Sequence, residues 1–191
     1  MLMIFSKTPK TTSFTKIRLQ ILSKWLLKKE QDCPVVAFTS RLRKEGVSTV
    51  TTGLIKSFNT SDPGKALLLD VSLNHKRKTR TLDITDADVM SNLPDYITHD
   101  NKLGSDTIAL GNLPESSFNI DDLNKELLIK IKELYNIILI DAGALNNSKG
   151  TFWLVNSDYN ILVVDSTRTT RESLEHQKRE FENSEISIDG S

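Results

Sequence analysis

The sequence has few of the residues that identify several common classes of protein. Cysteine occurs once in 191 residues, at Cys33, which excludes an internal disulfide framework and is typical of a reducing cytoplasm. No apolar run approaches the ~20 residues that a membrane-spanning helix needs, and Met1–Phe5 is too short for the core of a signal peptide. We therefore expect a soluble, cytoplasmic protein, which a partner could hold at the inner face of the membrane.

Signatures of metal, hydrolase and nucleic-acid sites are missing as well. The three histidines, His75, His99 and His176, have no metal-ligand spacing with one another or with Cys33. No G-x-S-x-G occurs, so a hydrolase nucleophile elbow is not indicated. The basic run at residues 76–80 is interpreted as a solvated loop. We predict no nucleic-acid partner.

The formal net charge is zero, but the two halves of the chain differ in sign. Residues 1–80 hold 16 Lys/Arg and 5 Asp/Glu, whereas residues 81–191 hold 9 and 20. Such an asymmetry suits contact of the basic half with phosphates, acidic lipids or the acidic half of a neighbour. A solvated surface on which the two signs happen to segregate explains it equally well.

Short apolar runs alternate with amphipathic helical patterns along most of the chain. This alternation predicts an α/β fold with a doubly wound, mostly parallel sheet flanked by helices. The predicted strands are Val35–Phe38, Ala66–Asp70, Thr107–Leu110, Ile137–Asp141 and Ile161–Asp165, with Ile186 and Ile188 beginning a last edge strand. The predicted helices cover residues 12–30, 48–59, 121–134 and 169–183, with a short one near 86–92. We predict a single domain at 34–191, preceded by an N-terminal segment at 1–33.

Carboxylates end three of the predicted strands. Asp70, Asp141 and Asp165 each follow an apolar run, and ligands on doubly wound sheets bind outside the carboxyl ends of the strands. The loop after the first predicted strand reaches the same edge. The sequence therefore predicts that acidic groups and this loop meet there.

That loop resembles a phosphate-binding loop whose lysine is missing. A complete loop reads G-x-x-x-x-G-K-[ST] between a strand and a helix. Here Arg41 stands at the first glycine, Gly46 at the second, Val47 at the lysine, and Ser48 and Thr49 at the hydroxyl positions. The lysine normally reaches the terminal phosphates and the hydroxyl binds Mg²⁺. A valine can do no part of the lysine's work.

From about Thr12 onward the chain resembles the cytoplasmic domain of bacterial tyrosine kinases of capsule and exopolysaccharide assembly. These kinases belong to the deviant-Walker P-loop group, together with the Min/Par-type ATPases. The family loop reads T-S-x-x-P-G-E-G-K-S-T. The matching residues are Thr39, Ser40, Glu45, Gly46, Ser48 and Thr49, whereas Arg43 and Lys44 replace Pro-Gly and Val47 replaces the lysine.

The other family motifs are also incomplete. The second motif keeps Asp70 but loses its second Asp and its Arg, and the third keeps Asp141 but lacks its Pro. The oligomerisation motif of the first helix retains only Arg18, and the C-terminal tyrosine cluster is missing, since no tyrosine follows Tyr159. Each motif keeps its apolar frame and loses part of its polar chemistry.

The resemblance implies a site for ATP or ADP with Mg²⁺, although no cofactor is assigned outright. Its nucleotide contacts would be Arg43, Lys44, Glu45, Gly46, Ser48 and Thr49. Mg²⁺ would bind Ser48, Asp70 and Asp141 if a nucleotide binds. We assign no catalytic residue, because Asp70 and Asp141 are vestiges of an incomplete catalytic set.

Three functions follow from the resemblance. The first is a non-catalytic partner or regulator in capsule or exopolysaccharide synthesis and export, which docks onto a polymerisation or export complex or onto an active relative, as a homo- or hetero-oligomer. The second is an active ATP-dependent tyrosine kinase or ATPase that uses Arg41, Arg43 or Lys44 in place of the lysine. The third is a Min/Par-type peripheral membrane regulator, with residues 12–29 lying on acidic lipid.

Overall fold

The apolar runs form one mixed sheet at the centre of the molecule. The structure is a computed structural model that describes residues 2–5, 11–27, 33–61, 66–72, 81–82, 93–110, 120–144, 148–183, 186 and 188. Within these residues the strands are β1 (Leu2–Phe5), β2 (Val35–Ser40), β3 (Ala66–Asp70), β4 (Thr81–Leu82), β5 (Thr98–Asp100), β6 (Ser105–Leu110), β7 (Ile137–Ala144) and β8 (Tyr159–Asp165). Their order is β1-β8-β2-β7-β3-β6-β4, with β5 on β6.

All neighbouring strands in this order are parallel, and only β5 runs antiparallel to β6. Every residue of β2 and β3 is buried, because these strands lie inside the sheet with helices on both faces. The predicted doubly wound, mostly parallel sheet flanked by helices is thus confirmed.

Two layers of helices cover the sheet. The helices are α1 (Thr11–Leu27), α2 (Val47–Ser61), α3 (Ile120–Leu134), α4 (Ser148–Val155) and α5 (Arg171–Asn183), with a short 3₁₀ helix at Leu93–Tyr96. Helices α1 and α2 contribute to one apolar cluster, and α3, α4 and α5 contribute to a second cluster on the opposite face. The alternation of strand side chains supplies both clusters, so that Leu67 and Leu69 join one while Leu68 joins the other.

Helix α1 lies against α2. The apolar stripe of α1 is buried at Phe14, Ile17 and Ile21, and the guanidinium of Arg18 donates a 2.7 Å hydrogen bond from Nη1 to the carbonyl of Ser57. The stripe that a membrane-surface helix would turn toward lipid is therefore used for packing within the domain. In the part of the chain that the structure describes, no helix is long and apolar enough to cross a membrane.

Several local predictions need correction. Ile186 and Ile188 are not in a strand. Ile186 lies beyond the end of α5, and its N–H donates to the Phe181 carbonyl at 3.1 Å. Leu134, the last residue of α3, is 55% exposed, whereas Leu127 and Ile131 on the same helix are buried. Strands β1, β4 and β5 and helix α4 were not predicted. The helix proposed near 86–92 lies outside the described residues.

Candidate functional site

The candidate site lies at the carboxyl edge of the sheet, where the loop after β2 meets the ends of β3, β7 and β8. Asp70 and Asp141 are register partners on β3 and β7, and β8 ends at Asp165 on the other side of β2. Because these strands are parallel neighbours, their ends converge. The predicted meeting of the three carboxylates and the loop at one edge is confirmed.

The backbone of the loop has a shape that normally requires glycine at two positions. Gly46 has φ of 97°, a region that only glycine adopts readily, and Lys44 has φ of 67° in the left-handed region. Lys44 stands at the position of the first glycine of the family's P-G-E-G, and Gly46 stands at the second. The chain thus keeps the glycine-type turn although it has lost the first of these glycines, at a strain cost of about 1 kcal/mol.

Val47 begins α2, and its side chain is buried at 6% exposure in the apolar cluster beneath α1 and α2. Ser48 and Thr49, the two hydroxyl positions, are exposed. The position that carries a positive charge in a complete loop is therefore an apolar contact of the core. The following helix still begins at the same place, so the frame of the loop is retained.

Glu45 is a buried carboxylate within the loop, at 5% exposure. Its Oε2 accepts a hydrogen bond from the Leu42 backbone N–H at 2.8 Å, and its Oε1 accepts one from the Thr169 hydroxyl at 2.5 Å. Burying a charge is costly unless it is hydrogen-bonded, so these two donors hold the side chain in place. Glu45 therefore joins the loop to the segment that follows β8.

Two arginines join the same parts of the chain. Arg41 Nη1 donates to the hydroxyl of Ser173 and, at 3.4 Å, to the Ser173 carbonyl. Arg168 Nη1 donates to the carbonyls of Arg43 at 3.2 Å and Lys44 at 3.3 Å. The side chains of Arg43 and Lys44 are exposed, and within the described residues no carboxylate lies within ion-pair distance of either.

The paired aspartates on β3 and β7 are buried and hydrogen-bonded locally. Asp70 Oδ1 accepts from the Ser72 hydroxyl at 2.7 Å and from the Ser72 N–H at 3.1 Å, while Asp141 Oδ1 accepts from the Gly143 N–H at 3.1 Å. Gly143 has φ of 66° and lies against Ser72. A Cβ atom added at position 143 would lie only 3.1 Å from the Ser72 Cβ. Each carboxylate is thus oriented by hydrogen bonds from the residue two positions further along the chain.

Asp165 shapes the segment after β8. Its Oδ1 accepts from the hydroxyl of Thr167 at 2.7 Å and from the Thr167 N–H at 3.0 Å, and these bonds, the hydroxyl first, lower the pKa of the Asp165 carboxyl below its ordinary value. The Asp165 carbonyl accepts from the N–H groups of Arg168 and Thr169, both at 3.0 Å. The turn that presents Arg168 and Thr169 to the loop is therefore well hydrogen-bonded.

The residues at position 47 and around it do not fit a magnesium–triphosphate in the way that a complete loop does. A complete loop places a lysine charge at the terminal phosphates, and here the buried side chain of Val47 stands in its place. The backbone N–H of Leu42, a second group of the loop, is already hydrogen-bonded to Glu45. Asp70 and Asp141 supply oxygen atoms of the type that Mg²⁺ prefers, but among the described residues no group of three metal-binding side chains is present.

The predicted site residues divide into two groups in the structure. Glu45 and Gly46 are built into the loop, and Asp70 and Asp141 lie side by side, whereas Ser48, Thr49, Arg43 and Lys44 face solvent. Thr169 and Ser173 were not predicted, because they lie more than 120 residues from the loop. Thr169 and Ser173 come close to the loop only because β2 and β8 are neighbouring strands, and no local motif predicts that strand order.

Comparison with known proteins gives neighbours in structure alone. No family model matches the chain, and no curated protein matches its sequence. The structure is similar to the kinase domain of the Escherichia coli tyrosine kinase ETK, with a TM-score of 0.69 at 16% identity over 92% of this chain and 73% of that one.

Two further neighbours show the range of the likeness. The chimerical protein CapA2B2 gives a TM-score of 0.71 at 17% identity, over 95% of this chain and 83% of that one. A chain of the MinC:MinD cell division protein complex of Aquifex aeolicus gives a TM-score of 0.54 at 19% identity, over 82% of this chain and 66% of that one. At these identities the likeness establishes the fold alone, which is the P-loop NTPase fold of bacterial tyrosine-kinase domains.

Proposed function

We propose that this P-loop domain, whose fold is that of the tyrosine-kinase domains to which it is similar, is a non-catalytic partner or regulator in the synthesis and export of capsule or exopolysaccharide. The observation that carries the proposal is the burial of Val47 in the core, where a phosphoryl-transfer loop needs a lysine. Phosphoryl transfer depends on positioning and charge neutralisation. A loop without that charge keeps its fold and loses the chemistry.

The second motif supports the same proposal. Asp70 is followed by Ser72, whose hydroxyl and N–H both bond Asp70 Oδ1. In the family motif D-x-D-x-R the position of Ser72 carries a second carboxylate. Each such loss of an electrostatic group costs about 10²–10³ in rate, so two losses together reduce turnover to a negligible level.

A partner function is supported by the kind of protein that shares the fold. MinD is found in a complex with MinC, so a P-loop domain of this shape can serve in a protein assembly. We propose that this chain docks onto a polysaccharide polymerisation or export component, or onto an active relative. This would place it at the inner face of the membrane through its partner.

The test is an assay of ATP hydrolysis and of tyrosine phosphorylation by the full chain with Mg²⁺, run beside Asp70→Asn and Asp141→Asn. We expect no turnover above background in any of the three proteins. Turnover by the wild-type chain that both substitutions abolish would overturn the non-catalytic assignment.

The partner role is tested by purifying the polysaccharide export complex from the native host with this chain tagged. Absence of the tagged chain from the purified complex would contradict that role.

A second candidate function is ATP binding, with or without turnover, through substitute cations. It is favoured by the exposed side chains of Arg43 and Lys44, which lie at the loop and have no carboxylate partner among the described residues. Isothermal titration with ATP and Mg²⁺ tests it, with Arg43→Gln/Lys44→Gln as the variant and Lys125→Gln/Lys178→Gln as a control for general charge. Binding that only the first pair weakens would support this candidate, and absence of heat with the wild-type chain would exclude it.

A further inference from the structure

The crevice between the loop after β2 and the segment after β8 is bridged from both sides. Three connections cross it: Glu45 to the Thr169 hydroxyl, Arg41 to Ser173, and Arg168 to the carbonyls of Arg43 and Lys44. We call these three connections the latch. Ligands of doubly wound sheets bind outside the carboxyl ends of the strands, which is the edge where the latch lies.

The strongest part of the latch is the pair of Glu45 and Thr169. The Glu45 carboxylate is buried, and within the described residues its hydrogen-bond donors are the Leu42 N–H at 2.8 Å and the Thr169 hydroxyl at 2.5 Å. A hydrogen bond to a buried charged group is among the stronger ones in a protein, because losing the donor leaves the charge undersatisfied. Thr169 therefore fixes Glu45, and Glu45 in turn fixes the turn from Leu42 to Glu45.

The latch also engages cations that lie beside the loop. Arg41 is bonded to Ser173 at the start of α5, and Arg168 is bonded to two backbone carbonyls of the loop. Both side chains would have to leave these acceptors to reach a phosphate. Of the three residues that could compensate for the missing lysine, Arg41 is thus committed to holding the loop, whereas the side chains of Arg43 and Lys44 are exposed.

We propose that the latch, rather than a ligand, orders the loop of this protein, and that any anion entering the crevice must first displace it. Glu45 and Thr169 act as positioning residues, because their mutual hydrogen bond sets the shape of the loop. The inference rests on the proposed function, since it describes how the same site is kept closed in a protein that does not use it for phosphoryl transfer. If only molecules with a broken latch bind an anion, the apparent affinity is reduced by the fraction of molecules in which the latch is broken.

The test uses a latch variant, Thr169→Val/Ser173→Ala, and a matched control, Thr167→Val. The control removes a threonine hydroxyl from the same segment, but that hydroxyl is bonded to Asp165 and not to the loop. Hydrogen–deuterium exchange of the peptide covering residues 38–50 measures the order of the loop. We expect exchange at least about tenfold faster in the latch variant than in the wild-type chain and the control. Equal exchange in all three would overturn the proposal.

Titration with pyrophosphate measures the competition between latch and anion. We expect the latch variant to bind pyrophosphate at least about tenfold more tightly than the wild-type chain, and the control to bind as the wild type does. Equal affinities, or no binding by any of the three proteins at millimolar pyrophosphate, would overturn the competition. Circular dichroism establishes that all three proteins are folded.

Failure of this inference and failure of the proposed function are separable. ATP turnover by the wild-type chain would contradict the non-catalytic role whatever the exchange data show. Exchange and pyrophosphate affinities that do not respond to Thr169→Val/Ser173→Ala would remove the latch and leave the non-catalytic role standing.

Discussion

The phenyl ring of Phe14 on α1 covers Gly53 on α2 so closely that a methyl group at position 53 would overlap the ring. A glycine at this point of α2 therefore lets the two helices approach. Phe14 is buried together with Ile17 and Ile21, which makes α1 part of the core of the domain. The contact explains why the apolar stripe of α1 is not available as a free surface.

Gly53→Ala is expected to destabilise the protein despite the better helix propensity of alanine. The propensity gain is about 0.5–1 kcal/mol, whereas overpacking costs about 1–3 kcal/mol, so a net loss of about 1–2 kcal/mol is expected. Urea denaturation measures the free energy of unfolding. Phe14→Leu in the same chain should recover part of the loss, because it makes room for the methyl group. Strictly additive effects of the two substitutions would contradict the contact.

The fold was largely predictable from the sequence because buried parallel strands appear as continuous apolar runs. Leu67–Leu69 and Ile137–Ile140 are read correctly for this reason. The short β4 and β5 carry no such run, and α4 is only eight residues long, so periodicity gives little signal there. Ile186 looked like the start of a strand, but its apolar side chain is buried at the end of α5 instead.

The candidate site was predictable only in its frame. Local motifs locate the loop and the paired Asp70 and Asp141, since each follows a recognisable apolar run. The partners Thr169 and Ser173 depend on β8 lying next to β2, and strand order cannot be read from local pattern. The contact of Arg18 with α2 was also not predictable, because Arg18 and Ser57, which the hydrogen bond joins, are 39 residues apart in the sequence.

Val47→Ala is expected to lower the free energy of unfolding by about 1–2.5 kcal/mol, because Val47 is buried in the cluster beneath α1 and α2. Chemical denaturation followed by fluorescence measures it. The neighbouring Ser48→Ala serves as the control: Ser48 is exposed, so its replacement should change stability by no more than about 0.5 kcal/mol. A loss for Val47→Ala as small as that for Ser48→Ala would show that position 47 does not belong to the core.

Arg18→Gln is expected to cost about 1–2 kcal/mol. The Arg18 guanidinium donates at 2.7 Å to the Ser57 carbonyl in the last turns of α2, where a positive charge also complements the helix dipole. Lys16→Gln removes an exposed positive charge from the same helix and should be nearly neutral. Thermal unfolding of both variants distinguishes a specific hydrogen bond from a general effect of charge, and equal shifts in Tm would favour the latter.

At the opposite edge of the sheet, Asp106 on β6 accepts hydrogen bonds on both oxygens. Tyr135 donates its hydroxyl to Asp106 Oδ2 at 2.8 Å, and His99 Nδ1 lies 2.9 Å from Asp106 Oδ1. Burial of Tyr135, followed by its bond to Asp106 and the charge of that carboxylate, raises the pKa of the Tyr135 phenol far above its ordinary value. The folded state therefore keeps the phenol protonated at a pH where the unfolded chain has lost that proton.

The raised pKa gives Tyr135→Phe a pH-dependent effect on stability. Below the ordinary phenol pKa of about 10, the substitution should cost about 1–2 kcal/mol, because Asp106 loses a donor. The raised pKa of Tyr135 means that the wild-type chain loses stability as pH rises above about 10, since unfolding then releases a proton, and Tyr135→Phe removes this component. The difference in free energy of unfolding between the wild-type chain and Tyr135→Phe should thus shrink between about pH 9 and pH 11.

His99→Gln is the control, because it changes the partner of the other Asp106 oxygen and leaves the phenol in place. Its free energy of unfolding should fall with rising pH as that of the wild type does. A Tyr135→Phe difference that is constant over this range would show that the phenol does not titrate with unfolding.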